Sequence, residues 1–418
     1  MRIRKPLKIK NERELPSELR KEAQPGNYSP SNTKPKLAII QTYIPQYKES
    51  FFNKLQQRGG LEVCLIHGEN QTESREVVTN QNLLFDTRSI KRTYRVSFLG
   101  FEIVFQRGVI KALRAVNPEV VVADGTIGIL SNFLVGLFCK ITRRPFVVWA
   151  CGWEKQKSGL KIIVKRFFYH LQAVLADVFI VYGSKARDYL ESLGVDLEKV
   201  VLAQNTVDTD EIFDRYDYFV QESRKLRMQM GLTNKRIILF VGRVNRYKRL
   251  DILLGAYRVV KSRLRDVALL IVGDGPELDN IKREVARDCV PDIYFRNMTF
   301  SEVNPYFAMC NLFVIPGLGG LAINQAMCFS KPIVCSEADG TEIDLVIDGL
   351  NGYRVEPGNE EKMAEAILKI MSSSATQKAM GEYSLKILKE RATIADMVEN
   401  FQKAVRLSLD RKTTKARR

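Results

Sequence analysis

The sequence predicts an α/β protein made of two doubly wound domains that face each other across a cleft. Three observations carry this expectation. Short apolar runs rich in Val, Ile and Leu alternate with segments of helical period, the pattern of βαβ units around a parallel sheet. The alternation occurs twice, over residues 37–208 and again over 235–385, with a charged, strandless connector expected at 209–234. With 418 residues, 45% hydrophobic and 27% charged, the chain can bury two cores and is neither disordered nor membrane-spanning in composition.

The elements follow in order. Residues 1–36 carry ten Lys and Arg against four Glu and end in the Pro/Ser/Asn-rich PGNYSPSNTKPK, so a basic flexible extension is expected. LAIIQTY reads as a strand, PQYKESFFNKLQQRG as a helix ending at Gly59-Gly60, and LEVCLIHG as the next strand. The first series continues through GVIKALRAVNP, EVVVADG, the apolar helix ILSNFLVGLFCKITR, PFVVWACG, a long helix through Tyr169, DVFIVYG, SKARDYLESLGV and KVVLAQN. The second series has strands at RIILFVG, VALLIVGDG, DIYFRNM, LFVIPG, KPIVCS and YRVEPG, with helices between them and another from Glu360. A C-terminal helix over 386–410, able to cross back to the first domain, and a basic tail over 411–418 complete the chain.

The net charge of +17 is uneven: residues 1–36 hold +6 and residues 411–418 hold +5. Basic ends of this kind seek polyanions, either nucleic acid or an anionic membrane surface. No nucleic-acid motif accompanies the charge, so nucleic acid is not an expected partner. No apolar run approaches the roughly 20 residues of a membrane span, and the start lacks the apolar core of a signal peptide, so a cytoplasmic location is expected. Seven scattered cysteines, never in CxxC spacing, and two histidines point to reduced thiols and no zinc site.

In doubly wound sheets, ligands bind at the carboxyl ends of strands. FVGRVNRYKRLD places Gly242, Arg243 and Lys248 in such a strand-to-helix connection, where two cations can hold an anion, although either alone reads as a solvated loop charge. VGDGPE contributes Gly275 and FRNM contributes Arg296 at neighbouring strand ends. PGLGGLAINQAM adds Gly317, Gly319 and Gly320, which let backbone approach a ligand, ahead of a helix start with unpaired N–H groups. Together these groups can hold a diphosphate. On the first domain, Glu154 in CGWE stands at a strand end as an acceptor-side candidate, with a structural role as the alternative. DTD at 208–210 spells a metal-binding DxD motif but enters a helix, where Asp caps. The helix Lys155–Leu171 interleaves Lys155, Lys157, Lys161, Lys165 and Arg166 with Ile162, Ile163, Phe167 and Phe168. It reads either as a helix laid on anionic lipid or as an ordinary helix with its apolar face on the sheet.

With VGRVNRYKRLD, LLIVGDGPE, NLFVIPG, QAMCFSKPIVCS and DGLNGYRVEPGN in this order, and QNTVD and SKARDYLESLGV before them, the sequence resembles the retaining glycosyltransferases of family 4 over roughly residues 36–400. The resemblance implies a GT-B fold, a nucleotide-sugar donor in the second domain, an acceptor in the first, and no metal or other cofactor. By position it makes Arg243 and Lys248 the diphosphate-binding, catalytic cations and Gly319-Gly320-Leu321 the helix-start donors. The family's two glutamates, E-x7-E, touch the sugar and the ribose; they correspond to Gly317, which has no side chain, and Gln325, which can still donate to one ribose hydroxyl and accept from the other. A histidine often found in the first domain corresponds to Cys151. The implied function is sugar transfer with retention to a glycan or lipid-linked acceptor for a cell-surface polysaccharide, peripherally on the inner face of the cell membrane. The alternative is a non-catalytic relative that binds nucleotide sugar or glycan.

Overall fold

The computed structural model describes residues 34–58, 60–68, 83–98, 101–149, 160–297 and 302–417. The expected basic extension lies outside them as far as residue 33, as do Cys151, Glu154, Lys155, Lys157 and Met298. Two parallel α/β domains are present, as the alternating pattern requires.

The first domain begins with β1 (Lys36–Gln41), α1 (Glu49–Arg58), β2 (Glu62–Gly68) and β3 (Asp86–Ile90). A hairpin of β4 (Arg92–Phe98) and β5 (Phe101–Arg107) follows, and sequence reading passed over it. Next come α2 (Val109–Val116), β6 (Val120–Asp124), α3 (Leu130–Ile141), β7 (Phe146–Trp149), α4 (Leu160–Leu175), β8 (Val178–Val181), α5 (Ser184–Ser192) and β9 (Val200–Leu202). Among the described residues the sheet has seven parallel strands in the order β3-β2-β1-β6-β7-β8-β9. Successive residues of a strand point to opposite faces, so in β1 Leu37 and Ile39 enter one core while Ala38 and Ile40 enter the other. Both faces are covered, which is why these strands read as continuous apolar runs.

The second domain contains α6 (Thr209–Asp214), α7 (Tyr216–Gln229), β10 (Arg236–Val241), α8 (Leu250–Arg263), β11 (Val267–Val272), α9 (Leu278–Arg287), β12 (Ile293–Arg296) and α10 (Asn304–Met309). It continues with β13 (Leu312–Ile315), α11 (Ala322–Cys328), β14 (Ile333–Ser336), α12 (Thr341–Leu345), β15 (Gly352–Val355), α13 (Glu360–Met371) and α14 (Ser374–Arg391). Its six described strands are parallel in the order β12-β11-β10-β13-β14-β15. The stretch expected as a connector belongs to this domain's packing. Ile212 and Phe219 are buried in its core, and Tyr216 stacks on Phe329 at 5.6 Å.

The last helix corrects two expectations. The segment 386–410 is not one helix: α14 stops at Arg391, and α15 (Ile394–Arg417) starts anew. Thr393 and Asp396 make the restart, with Asp396 accepting from Thr393 N and Oγ1 while Thr393 Oγ1 accepts from Asp396 N. The expected tail from 411 is helical as far as Arg417. α15 packs on the first domain, where Phe401 lies 5.1 Å from Trp149 and 5.3 Å from Phe51.

Two polar ties bracket the space between the domains. Asp208 caps α6 by accepting from Glu211 N, takes a hydrogen bond from Ser50, and pairs with Lys54 at 3.3 Å; Asp210 pairs with Lys54 and Arg58. Asp208 is thus engaged by a helix start and both DTD carboxylates by cations of α1. At the other tie, Ser184 N donates to Asp344 across 2.7 Å, joining α5 to α12.

Candidate active site in the interdomain cleft

Between the ties lies a cleft of about 450 Å³. Tyr47, Lys48, Asp124, Tyr182 and Asn205 line its first-domain wall; Gly320, Leu321, Asn324 and Asp339 line the other. Every one of these residues ends or follows a strand or lies in the first turn of a helix, because a parallel sheet brings all its carboxyl ends to one edge.

On the second domain, hydrogen bonding continues past the strands and stacks the loops. Gly242 N donates to Val272 O, Val244 N to Asp274 O and Gly273 N to Arg296 O. Gly275 is required by this stacking: its φ is 158° and a Cβ there would sit 2.2 Å from Val244 O. Arg243 and Arg296 are exposed at this edge.

Lys248 behaves differently. Asn245 caps the short turn that carries it, by accepting from Tyr247 N. Its Nζ crosses beside Gly242 and donates to the carbonyl oxygens of Leu318 and Gly319, each at 2.6 Å. Leu318 N returns a bond to Tyr247 O at 2.9 Å. The β10–α8 loop is therefore clipped to the glycine turn before α11. Burial lowers the Lys248 pKa to about 8, against a raising effect of Asp339. The same clip explains Gly317. A Cβ at this position would lie 2.2 Å from Tyr247 O and 2.6 Å from the Lys248 carbonyl carbon, so the neighbouring loop occupies the space a glutamate would need.

Gly319, Gly320 and Leu321 form the turn at the start of α11. Gln325 does not line the cleft. It is buried, donates to Asn304 Oδ1 at 3.3 Å, and borders a separate hollow of about 260 Å³ with Tyr47, Asn304 and Asp208.

The first-domain wall holds a group the sequence reading missed. Lys48 is buried, its Nζ 4.2 Å over the Trp149 ring and 3.5 Å from Gln41 Oε1. It makes no ion pair among the described residues. Burial lowers its pKa to about 8, while Asp124 acts in the opposite direction. Burial, helped by Tyr47 and Asp124, pushes the Tyr182 hydroxyl well up. Asn324 and Asp339 were also missed. The signal was available: Lys48 and Asp339 each lie a few residues past a strand end, in PQYKES and SEADG, as Arg243 does.

Residues 235–373 match the family model for glycosyl transferases group 1. An uncharacterized glycosyltransferase of Methanocaldococcus jannaschii is 26% identical over 190 residues, 44% of this chain and 48% of that one. The alpha-D-kanosaminyltransferase of Streptomyces kanamyceticus is 27% identical over 165 residues, 38% of this chain and 42% of that one. The chain spans less than half the length of each of these relatives. Among solved structures, Anabaena HepE in complex with UDP superposes with a TM-score of 0.69 at 17% identity, covering 89% of this chain and 99% of that one. The architecture is the GT-B fold, and the glycosyl transferases group 1 match lies in its second domain.

Proposed function

We propose that this protein transfers a hexosyl group from a nucleotide sugar to a glycan or lipid-linked acceptor, with retention at the anomeric carbon, in the making of a cell-surface polysaccharide. The observation that carries this reading is the clip between Lys248 and the glycine turn at the head of α11. It holds a cation against the glycine turn whose Gly320 and Leu321 form one wall of the cleft between the two domains. HepE, of the same fold, was solved with UDP and with UDP-glucose, which supports a nucleotide-sugar donor. Arg243 and Lys248 would meet the diphosphate as it departs, whereas Gln325, held by Asn304 outside the cleft, is not placed to meet the ribose. Leaving-group stabilisation is then the protein's main chemical task, with the departing diphosphate taking the acceptor's proton and no protein nucleophile required. No metal or other cofactor enters this scheme.

A panel of nucleotide sugars tests the donor assignment through thermal unfolding. A donor at 100 times its dissociation constant should add about 2.7 kcal/mol of stability. A panel in which no nucleotide sugar stabilises the chain would remove the reading, and stabilisation without turnover would favour the non-catalytic, binding-only alternative.

The outer face of the first domain supports an acceptor at an anionic membrane. No helix among the described residues is long and apolar enough to cross a membrane. α3 and α4 pack together through Phe133 and Phe168, yet leave Ile141, Ile163 and Phe167 between 64% and 73% exposed beside Lys140, Arg143 and Arg166. Neither helix contains an Asp or Glu. Such a face gains from apolar insertion and from about 1 kcal/mol per cation near anionic lipid. Co-sedimentation with phosphatidylserine vesicles but not with phosphatidylcholine vesicles is expected, weakened by Phe167→Glu and by Arg166→Glu; equal binding to both vesicle types would exclude it.

A further inference from the structure

We propose that Asn324 and Asp339 form the polar seat that reads the hydroxyls of the transferred sugar, an inference that rests on the nucleotide-sugar reading of the cleft. Asn324, in the first turn of α11, is 2% exposed, and its Nδ2 has no hydrogen-bond partner among the described residues. A buried N–H left unpaired is costly, so a donor kept in this state at the lining of a cleft points to a ligand acceptor. Asp339 lines the same cleft after β14. Thr341 fixes the carboxylate by donating to Oδ1 from its N and Oγ1, at 3.0 and 2.6 Å. The other oxygen borders the glycine turn, 3.5 Å from where a Cβ of Gly319 would stand.

The chemistry selects the part of the ligand. A carboxylate repels a phosphate, for which the cleft offers the buried cation Lys48 instead. A sugar ring presents hydroxyls that both donate and accept, which an amide N–H and a carboxylate oxygen complement, the carboxylate through a charge-assisted bond. Gly317 cannot share this task, since the loop at Tyr247 and Lys248 fills the space any side chain there would take. The carboxylate reaches the glycine turn from the next strand end instead.

The test is calorimetry on the full chain with UDP-glucose, UDP-N-acetylglucosamine and GDP-mannose, each beside its free nucleoside diphosphate. The sugar nucleotide that binds the unaltered protein more tightly than its own diphosphate should lose roughly tenfold or more in affinity with Asp339→Asn and with Asn324→Leu, because each removes a bond made to the sugar alone. Affinity for the free diphosphate should stay within about twofold, and Asn324→Leu should unfold no earlier than the parent, since it deletes an unpaired polar group. Equal losses for sugar nucleotide and free diphosphate, or no loss for either, would overturn the assignment while leaving the donor reading intact. An unaltered protein that binds sugar nucleotide no better than diphosphate would also overturn it. Failure of the unaltered protein to bind any of the five compounds would instead bring down the donor reading itself.

Discussion

Lys48 and Lys248 are two half-solvated or buried lysines on opposite domains, and both are depressed to a pKa of about 8 by burial. Their partners differ in kind. Lys248 spends two of its donors on peptide carbonyls, and those bonds hold one loop against another. Lys48 rests on the face of Trp149 with one amide oxygen at the limit of hydrogen bonding, and fixes no loop. The same charge is therefore a structural clip behind the glycine turn of one wall and a cation with capacity to spare on the other wall. Removing the first should disturb shape and charge together, whereas removing the second should disturb charge alone.

The largest expected effect is that of Lys248→Met. Losing the leaving-group cation and the loop clip together should cut transfer by about a hundredfold to a thousandfold. The two charge-assisted bonds to carbonyl oxygens should also cost the fold about 1–3 kcal/mol, measurable by urea unfolding. Lys248→Arg is not expected to rescue, because a planar fork does not replace a point charge held between two adjacent carbonyls. Normal turnover in Lys248→Met would break the comparison at its stronger end.

Lys48→Met should reduce kcat/KM by roughly tenfold to a hundredfold if the cation meets substrate charge. Its stability should be unchanged or higher at pH 7, because a buried cation without a paired carboxylate is replaced by an apolar chain of similar length. A stability loss as large as that of Lys248→Met would show that the two lysines do the same job.

The most graded effect is in pH, and the two readouts should move in opposite directions. Both lysines have folded values near 8 against an ordinary 10.5, so between those limits the unfolded chain holds protons that the fold has released. These groups therefore make the fold more stable as pH rises from about 8 to 10.5, and contribute no slope below 8. Over the same range the cleft loses positive charge, so affinity for a free nucleoside diphosphate should fall by up to about tenfold per pH unit for each lysine that must regain its proton. Calorimetry in buffers of different ionisation enthalpy would detect that proton uptake. In Lys48→Met the uptake should be smaller, and an unchanged value would remove Lys48 from the site.

Much of the fold was legible in the sequence because its signals are local. Strands buried on both faces are apolar throughout, helices repeat at their own period, and the loops at strand ends carry glycine and charge whichever way the domains pack. Thr393 and Asp396 also spelled a helix start in sequence, and the reading of 386–410 as one helix overlooked it. The hairpin of β4 and β5 was passed over because its alternation of polar and apolar residues stands inside a long α/β series. The site was legible on one wall only. Arg243, Lys248 and the glycine turn sit in strongly marked loops, whereas Lys48, Asn324 and Asp339 look like ordinary surface residues until burial and neighbours are known.

Alone, then, the sequence determined the two parallel sheets and the set of loops gathered at their carboxyl ends, since period and strand polarity suffice for both. Only the tertiary structure decided which loops touch. It put Tyr247 and Lys248 into the space beside Gly317, carried α15 back under Trp149, and brought Asp339 beside the glycine turn. The physical reason is that crossover connections place strands side by side in an order unlike that of the chain. Contacts between their loops thus join residues about 20 to 70 positions apart, and no local pattern records which of them will meet.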